Sequence, residues 1–295
     1  MPLAPGLYIV ATPIGHSRDI TLRALEVLAR ADLVACEDTR RSQNLFAIHG
    51  IRNRLISYHE HNAARRRPAL LERLAAGQAI ALISDAGTPL ISDPGYRLVT
   101  EAVAAGIAVY PIPGASSVLA ALTVAALPTD RFLFLGFLPA RAALRRRRLR
   151  EIAALAATLV VLESPRRLAA SLRDLAEVLG DRPAAIAREL TKLHEQVRRD
   201  RLPALARAIQ DEGPPLGEIV IVIGPPAAES PDRAEAGDQP GPSIDQMLRA
   251  ALAVSGPAQA AARVAAATGK ARRELYQRAL SLRRARNHGD QDQSD

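Results

Sequence analysis

Apolar positions along the chain follow two alternating periods. Short apolar runs at Leu7–Ala11, Leu33–Cys36, Ala79–Ile83 and Ile107–Ile112 read as buried strands. Between them, Leu22–Arg30 and Tyr96–Ala105 carry apolar residues at helical spacing, and Thr21 stands where a helix cap belongs. Pro113-Gly114-Ala115-Ser116-Ser117 leads into a further helix, Val118–Ala126. Strands alternating with helices predict a largely parallel sheet with helices on its faces.

Pro128 breaks the pattern, and a second α/β unit follows. Its strands are Phe132–Phe137, Thr158–Leu162, Ala184–Ala187 and Glu218–Ile223; its helices lie around Arg141–Ala154, Arg166–Leu179 and Leu202–Gln210. From Pro225 to Pro242 the chain is rich in Pro, Ala, Gly and acidic residues and has no period, as a flexible linker does. Three helices close the pattern: Ile244–Ala253 behind a Ser243 cap, Gln259–Ala267 stopped at Gly269, and Arg272–Arg284. The predicted organisation is an α/β domain over 1–127, a second over 128–224, a linker over 225–242, a helical module over 243–286 and a disordered tail over 287–295.

Composition narrows the classes. Of 295 residues, 48% are hydrophobic but only 3% aromatic, so the cores are aliphatic. A single cysteine, Cys36, leaves no internal disulfide framework and no cysteine-based zinc site, and fits a reducing compartment. The amino terminus reads as no signal peptide, and no apolar run approaches membrane-span length. The formal net charge is +8, carried almost wholly by arginine, which favours a polyanionic partner.

The candidate chemistry centres on the loop from Ser84 to Gly95, at the carboxyl end of a predicted strand. In open α/β sheets ligands bind at that edge. Gly87 and Gly95 permit sharp turns and close approach, and Pro89 and Pro94 stiffen the segment. Other motifs align with it: Thr12-Pro13-Ile14-Gly15, Asp19-Ile20-Thr21, Glu37-Asp38-Thr39-Arg40, Tyr58-His59-Glu60-His61-Asn62, Pro113 to Ser117, and Ala187-Arg188-Glu189-Leu190-Thr191-Lys192. Together, over about residues 5 to 224, they resemble the ribosomal RNA small subunit methyltransferase I family, a branch of the tetrapyrrole methylase superfamily. Thr268-Gly269-Lys270 and Glu274-Leu275-Tyr276 are similar to that family's carboxyl-terminal helix-turn-helix module.

The resemblance implies a two-domain tetrapyrrole-methylase-like fold with a small helical module. It implies methyl transfer from S-adenosylmethionine to the ribose 2′-oxygen of a decoding-centre cytidine in 16S ribosomal RNA, by a cytoplasmic homodimer. It places the donor against Pro13, Ile83, Ser84, Asp85, Gly87 and Thr88, with Ser116 and Ser117 at the methionine moiety and Leu162, Glu163 and Leu190 on the adenine side. The absent G-x-G-x-x-G turn is consistent, because this donor carries no pyrophosphate to cradle.

Several motifs read two ways. Ser116-Ser117 suits a helix cap as well as a ligand contact. Glu60, Glu163, Glu189 and Lys192 are candidate bases or positioning groups, while Glu189 and Lys192, three apart, also suit a local ion pair. Alternating His59 and His61 on a strand would share one face, but no third metal ligand follows by spacing; a polar RNA-facing or structural segment is the better reading, with no metal. Glu37 to Arg40 is a turn, or an Arg40-Arg41 edge for phosphate. Arginine clusters, one of Arg141, Arg145, Arg146, Arg147, Arg148 and Arg150 and one of Arg272, Arg273, Arg278, Arg283, Arg284 and Arg286, are expected to contact RNA. The alternatives are a small-molecule tetrapyrrole methyltransferase, disfavoured by the tail and the basic clusters, and a non-catalytic assembly factor, disfavoured by the intact loop around Asp85. A nicotinamide enzyme lacks its fingerprint here.

Overall fold

The computed structural model describes residues 2–91, 95–226, 244–253, 255–268 and 270–289. The chain forms two compact units, Met1–Ala227 and Ala228–Asp295.

The first unit holds two five-stranded sheets. In the first, β1 (Gly6–Val10), β2 (Leu33–Cys36), β3 (Leu55–Ser57), β4 (Ala79–Ile83) and β5 (Val109–Ile112) pair in the order β3-β2-β4-β1-β5. Every pairing is parallel, as the strand–helix alternation predicts. The helices are α1 (Leu22–Arg30), α2 (Thr39–Ile48), α3 (Glu60–Ala75), α4 (Tyr96–Ala104) and α5 (Ser117–Ala125). Strand residues alternate between two cores. Val10, Val34, Ala81 and Ile83 meet Val27 and Leu28 of α1 and Phe46 of α2. Leu7, Ile9, Leu33, Ile80 and Leu82 meet Leu70 and Leu74 of α3 and Leu98 and Ala102 of α4.

The second sheet comprises β6 (Phe132–Phe137), β7 (Thr158–Glu163), β8 (Pro183–Arg188), β9 (Gln196–Arg201) and β10 (Ile219–Ile223), in the order β6-β7-β10-β8-β9. It is mixed, where the first is wholly parallel. Only β6 and β7 run parallel; β10 is antiparallel to both its neighbours, and β8 and β9 form an antiparallel pair. A short turn over 189–195 joins β8 to β9 without a crossover helix, which permits antiparallel pairing. Helices α6 (Ala142–Ile152), α7 (Leu168–Leu179) and α8 (Leu202–Glu212) cover one face through Leu149, Leu168, Leu172, Leu175 and Leu205. The other face does not meet its own helices. Val160, Ala185, Ala187, Val220 and Val222 pack against α5 and Ile14, which belong in sequence to the first lobe.

The second unit is three helices, α9 (Ile244–Leu252), α10 (Pro257–Thr268) and α11 (Arg272–Gly289), around Leu248, Ala260, Ala261, Val264, Leu275 and Ala279. Helix α11 continues over 287–289, three positions expected in a disordered tail. Nearly all of the predicted linker, and residues 290–295, lie outside the described residues. Among the described residues no helix is long and apolar enough to cross a membrane.

Candidate active site

The loops that follow β1, β4 and β5 are knitted into one surface. Thr12 and Gly87 exchange backbone hydrogen bonds of 2.9 and 3.0 Å. Gly87 sits at φ +76°, a conformation that favours glycine. The Thr12 hydroxyl donates to the Ser84 carbonyl at 3.1 Å, the Ser84 hydroxyl donates to the Gly87 carbonyl at 3.1 Å, and the Thr88 hydroxyl donates to the Ala115 carbonyl at 3.2 Å. Asp85 extends the network to α2. Its Oδ1 accepts from the Asp38 amide at 2.9 Å, and its Oδ2 lies 3.4 Å from Arg41.

A cavity of about 350 Å³ lies between this surface and the second sheet. Ile14, Ala86, Ile91 and Ser117 form one wall; Leu162, Glu163, Leu190, Phe137 and the segment from Gly217 to Val220 form the other. Four predicted residues therefore line it: Ser117, Leu162, Glu163 and Leu190. Pro13 and Asp85 do not; their neighbours Ile14 and Ala86 occupy the wall instead. Ile83 ends β4 in the core, and Ser84, Gly87 and Thr88 build the loop behind the wall. Ser116 is a helix cap, accepting from the Leu119 amide at 3.5 Å.

The opposite corner is shaped by close approaches. Glu189 and Thr191 have φ of +51° and +64°. A Cβ on Gly15 would stand 2.8 Å from the Leu190 carbonyl, and one on Gly217 would overlap the Glu189 side chain. The His16 amide donates to the Thr191 hydroxyl at 3.0 Å, closing the loop after β1 onto the turn after β8. Gly217 and Phe137 were not expected in the site. Gly217 follows two prolines in what reads as an ordinary loop, and Phe137 sits within an apolar strand.

The charged candidates separate. Glu163 is only 2% exposed. Its Oε1 accepts from the Ser164 amide at 2.8 Å and lies 3.3 Å from Arg167, while its Oε2 accepts from the Ser171 hydroxyl. Glu189 accepts from Lys192 at 2.8 Å and from the Glu218 amide at 2.9 Å. Those bonds hold the Glu189 carboxyl below its usual range. Burial pushes the Lys192 ammonium down, but hydrogen bonds from it to Glu189 and Glu218 outweigh that and leave it above its ordinary value. Glu60 is exposed in the first turn of α3 and does not line the cavity. At the end of β2, burial and then the neighbouring Asp85 carboxylate push Glu37 up against the opposing influence of Arg41 and His59.

Two readings need correction, those of the histidine segment and of Arg145, and three further arginines are engaged by carboxylates. His59, Glu60 and His61 are not on a strand. His59 is the N-cap of α3, with its amide donating to Asn62 Oδ1 at 3.0 Å, and the two rings meet edge-on at 5.9 Å. Arg145 is 4% exposed and cannot face RNA. It points to α7, where its Nε donates to Asp174 at 2.7 Å. Arg146 is partly covered and bound to Glu177 at 3.0 Å. Arg40 folds back on Asp38, which caps α2, and Arg278 forks onto Asp245 at 2.9 and 2.7 Å. Arg272 and Arg273 are exposed, with no ion-pair partner among the described residues.

A parallel five-stranded lobe sharing a core with a mixed five-stranded lobe is the tetrapyrrole methylase architecture. Residues 6–206 match the family model for Tetrapyrrole (Corrin/Porphyrin) Methylases, and residues 238–283 match that for the RsmI C-terminal HTH domain. A diphthine synthase structure superposes with a TM-score of 0.59 at 20% identity, covering 74% of this chain and 89% of its own. A cobalt precorrin-4 methyltransferase gives 0.55 at 20% identity, covering 74% and 94%. These two share the fold. Closer in sequence, the ribosomal RNA small subunit methyltransferase I of Mesorhizobium japonicum is 51% identical over 290 residues, 98% of this chain and 96% of the relative. That of Pseudomonas aeruginosa is 44% identical over 276 residues, 93% and 96% of the two chains. The chain belongs to the ribosomal RNA small subunit methyltransferase I family.

Proposed function

We propose that this chain transfers a methyl group from S-adenosylmethionine to the ribose 2′-oxygen of a decoding-centre cytidine in 16S ribosomal RNA. Family membership supports the coarser part, a methyltransferase acting on ribosomal RNA. The observation that carries the donor site is the cavity walled by both lobes. Its volume is in the range of small-molecule sites, and its walls are mostly aliphatic with a few polar groups. Ile14, Leu162, Ala187 and Leu190 offer apolar surface to a sulfonium and its carbon chain; Ser117, Glu163 and Glu218 offer hydrogen-bonding groups to its polar ends. When bound, the donor supplies an electrophilic methyl group.

The chain's own contribution is placement. Aligned, water-excluded approach of two reactants can supply about 7–11 kcal/mol. The loops after β1, β4 and β5 are tied by five hydrogen bonds and lose little freedom on binding. Both Glu163 oxygens already accept bonds, and Lys192 stays protonated at neutral pH, so these groups orient rather than deprotonate. The reading includes a homodimer working in the cytoplasm on the small ribosomal subunit or its RNA, without a metal ion.

Calorimetry after chelation should still show S-adenosylmethionine binding. Asp85→Ala removes the acceptor for the Asp38 amide; Gly87→Val forces a branched residue to φ +76° beside Ile14. Such backbone strain is worth about 1–3 kcal/mol; a free loop that relieves it by leaving this geometry must restore it to bind the donor, so donor affinity should fall by up to roughly 5- to 150-fold in the Gly87→Val variant. Wild-type affinity in both folded variants would place the donor elsewhere. Nucleoside analysis of treated small-subunit RNA checks the methylated atom; base methylation would overturn the 2′-oxygen.

A further inference from the structure

Strand β6 ends in a bulge that carries Phe137 to the border between the donor cavity and a second groove. The register against β7 shifts between Phe134 and Gly136, and Gly136 takes φ +61°. A bulge of this kind bends the strand and re-aims the side chains beyond it. The ring it presents, Phe137, is 57% exposed in a chain with four Phe and no Trp. On one side Phe137 borders the cavity between the lobes. On the other it borders a separate groove of about 350 Å³, floored by Leu135, Leu138 and Leu144 and flanked by Arg147 and Arg148. Arg147 is exposed and has no ion-pair partner among the described residues, whereas Arg148 is held by Glu151 at 3.0 Å.

A flat apolar ring beside an unpaired guanidinium matches one kind of occupant: a planar base carried on a phosphate backbone. Stacking on the ring needs an open base face, which a single strand offers and a duplex interior does not. We infer that Phe137 and Arg147 form a landing platform for an unpaired nucleotide of the RNA substrate, next to the nucleotide that enters the cavity. Phe137 takes the base and Arg147 the phosphate. The platform rests on the reading of the chain as an RNA methyltransferase and adds the path by which the strand arrives. It also narrows the phosphate contact expected across the run from Arg145 to Arg148 to one residue, Arg147, on the exposed side of α6.

The test uses the full chain, with small-subunit ribosomal RNA and S-adenosylmethionine as separate probes. Phe137→Leu keeps the apolar bulk and loses the stacking face; Phe137→Trp keeps the face. Phe137→Leu should weaken RNA binding by roughly 5- to 100-fold, with Phe137→Trp close to wild type. Arg147→Ala should lower the slope of log affinity against log salt by about 0.7, the value for one phosphate on a single strand. Donor affinity measured on the same variants separates the platform from the cavity. RNA binding and salt slope unchanged in Phe137→Leu and Arg147→Ala would overturn the inference. So would a Phe137→Leu defect confined to donor affinity. If the wild-type chain fails to methylate the RNA, the functional reading falls; if it methylates and the variants bind normally, only the platform falls.

Discussion

In one dimension Arg145 is indistinguishable from Arg146, Arg147 and Arg148. In the fold it is the one whose donors are engaged inside the protein. Its side chain donates to Asp174 and to the carbonyls of Pro139 and Ala140 at 3.2 and 3.1 Å, fastening α6 to α7. An unbroken run of one residue type carries no phase, so periodicity could not show which arginine turns inward. Arg145→Ala leaves the buried Asp174 carboxylate with only Arg146, 3.4 Å away, and breaking a buried pair costs about 3–5 kcal/mol, so the lower end of that range is expected. Denaturant unfolding should show a loss of that size. A stability unchanged from wild type, with RNA binding lost, would restore the surface role. Glu189 and Lys192 went the other way. Their spacing allowed a local pair, and that pair is what the turn after β8 contains.

The elements that sequence missed share a cause: each buries very little. Helix α2 covers only Ser42 and Phe46, and α3 covers only Leu70 and Leu74 with Pro68 inside it. Strand β3 pairs on one side alone, and β9, Gln196–Arg201, is a polar edge. With few apolar positions to repeat, neither period registers. The fully buried strands and the helices with broad apolar faces were legible for the opposite reason. The site divides along the same line. Ser117, Leu162, Glu163 and Leu190 stand on or beside regular elements, whereas Gly217 is explained only by the Glu189 side chain folded against it. Gly15 makes the point testable. Its added Cβ would press on the Leu190 backbone, which cannot rotate away as a side chain can. Gly15→Ala should cost about 1–3 kcal/mol of stability and weaken donor binding, as the loop after β1 is pushed off the turn after β8. Unchanged melting and unchanged calorimetric affinity would show that this closure is unimportant.

At the scale of the molecule, the α/β unit and the helical unit each own a complete core. A chain ending at Gly224 keeps the backbone bond from Gly224 to Pro183 at 2.8 Å and every residue of the donor cavity. Its donor affinity should match the full chain, while RNA affinity falls. Arg278 is tied to Asp245, whereas Arg272 and Arg273 are among the exposed cations lost with the unit, and these two alone should lower the salt slope by about 1.4 to 1.8. An unaltered slope would assign the helical unit a role other than gripping RNA. Within the α/β unit, α5 couples what the sheets divide. It belongs to the first lobe by chain order, yet Val118, Ala121, Leu122 and Ala125 are core residues of the second lobe's inner face. Neither lobe can unfold without stripping the other of buried apolar surface. Scanning calorimetry of the 1–224 chain should therefore show a single endotherm whose van't Hoff and calorimetric enthalpies agree, as for one cooperative body. Two resolved transitions would mean that the lobes are independent. One transition would mean that heat or denaturant releases the donor and dismantles both sheets at the same point, with no half-folded methyltransferase in between.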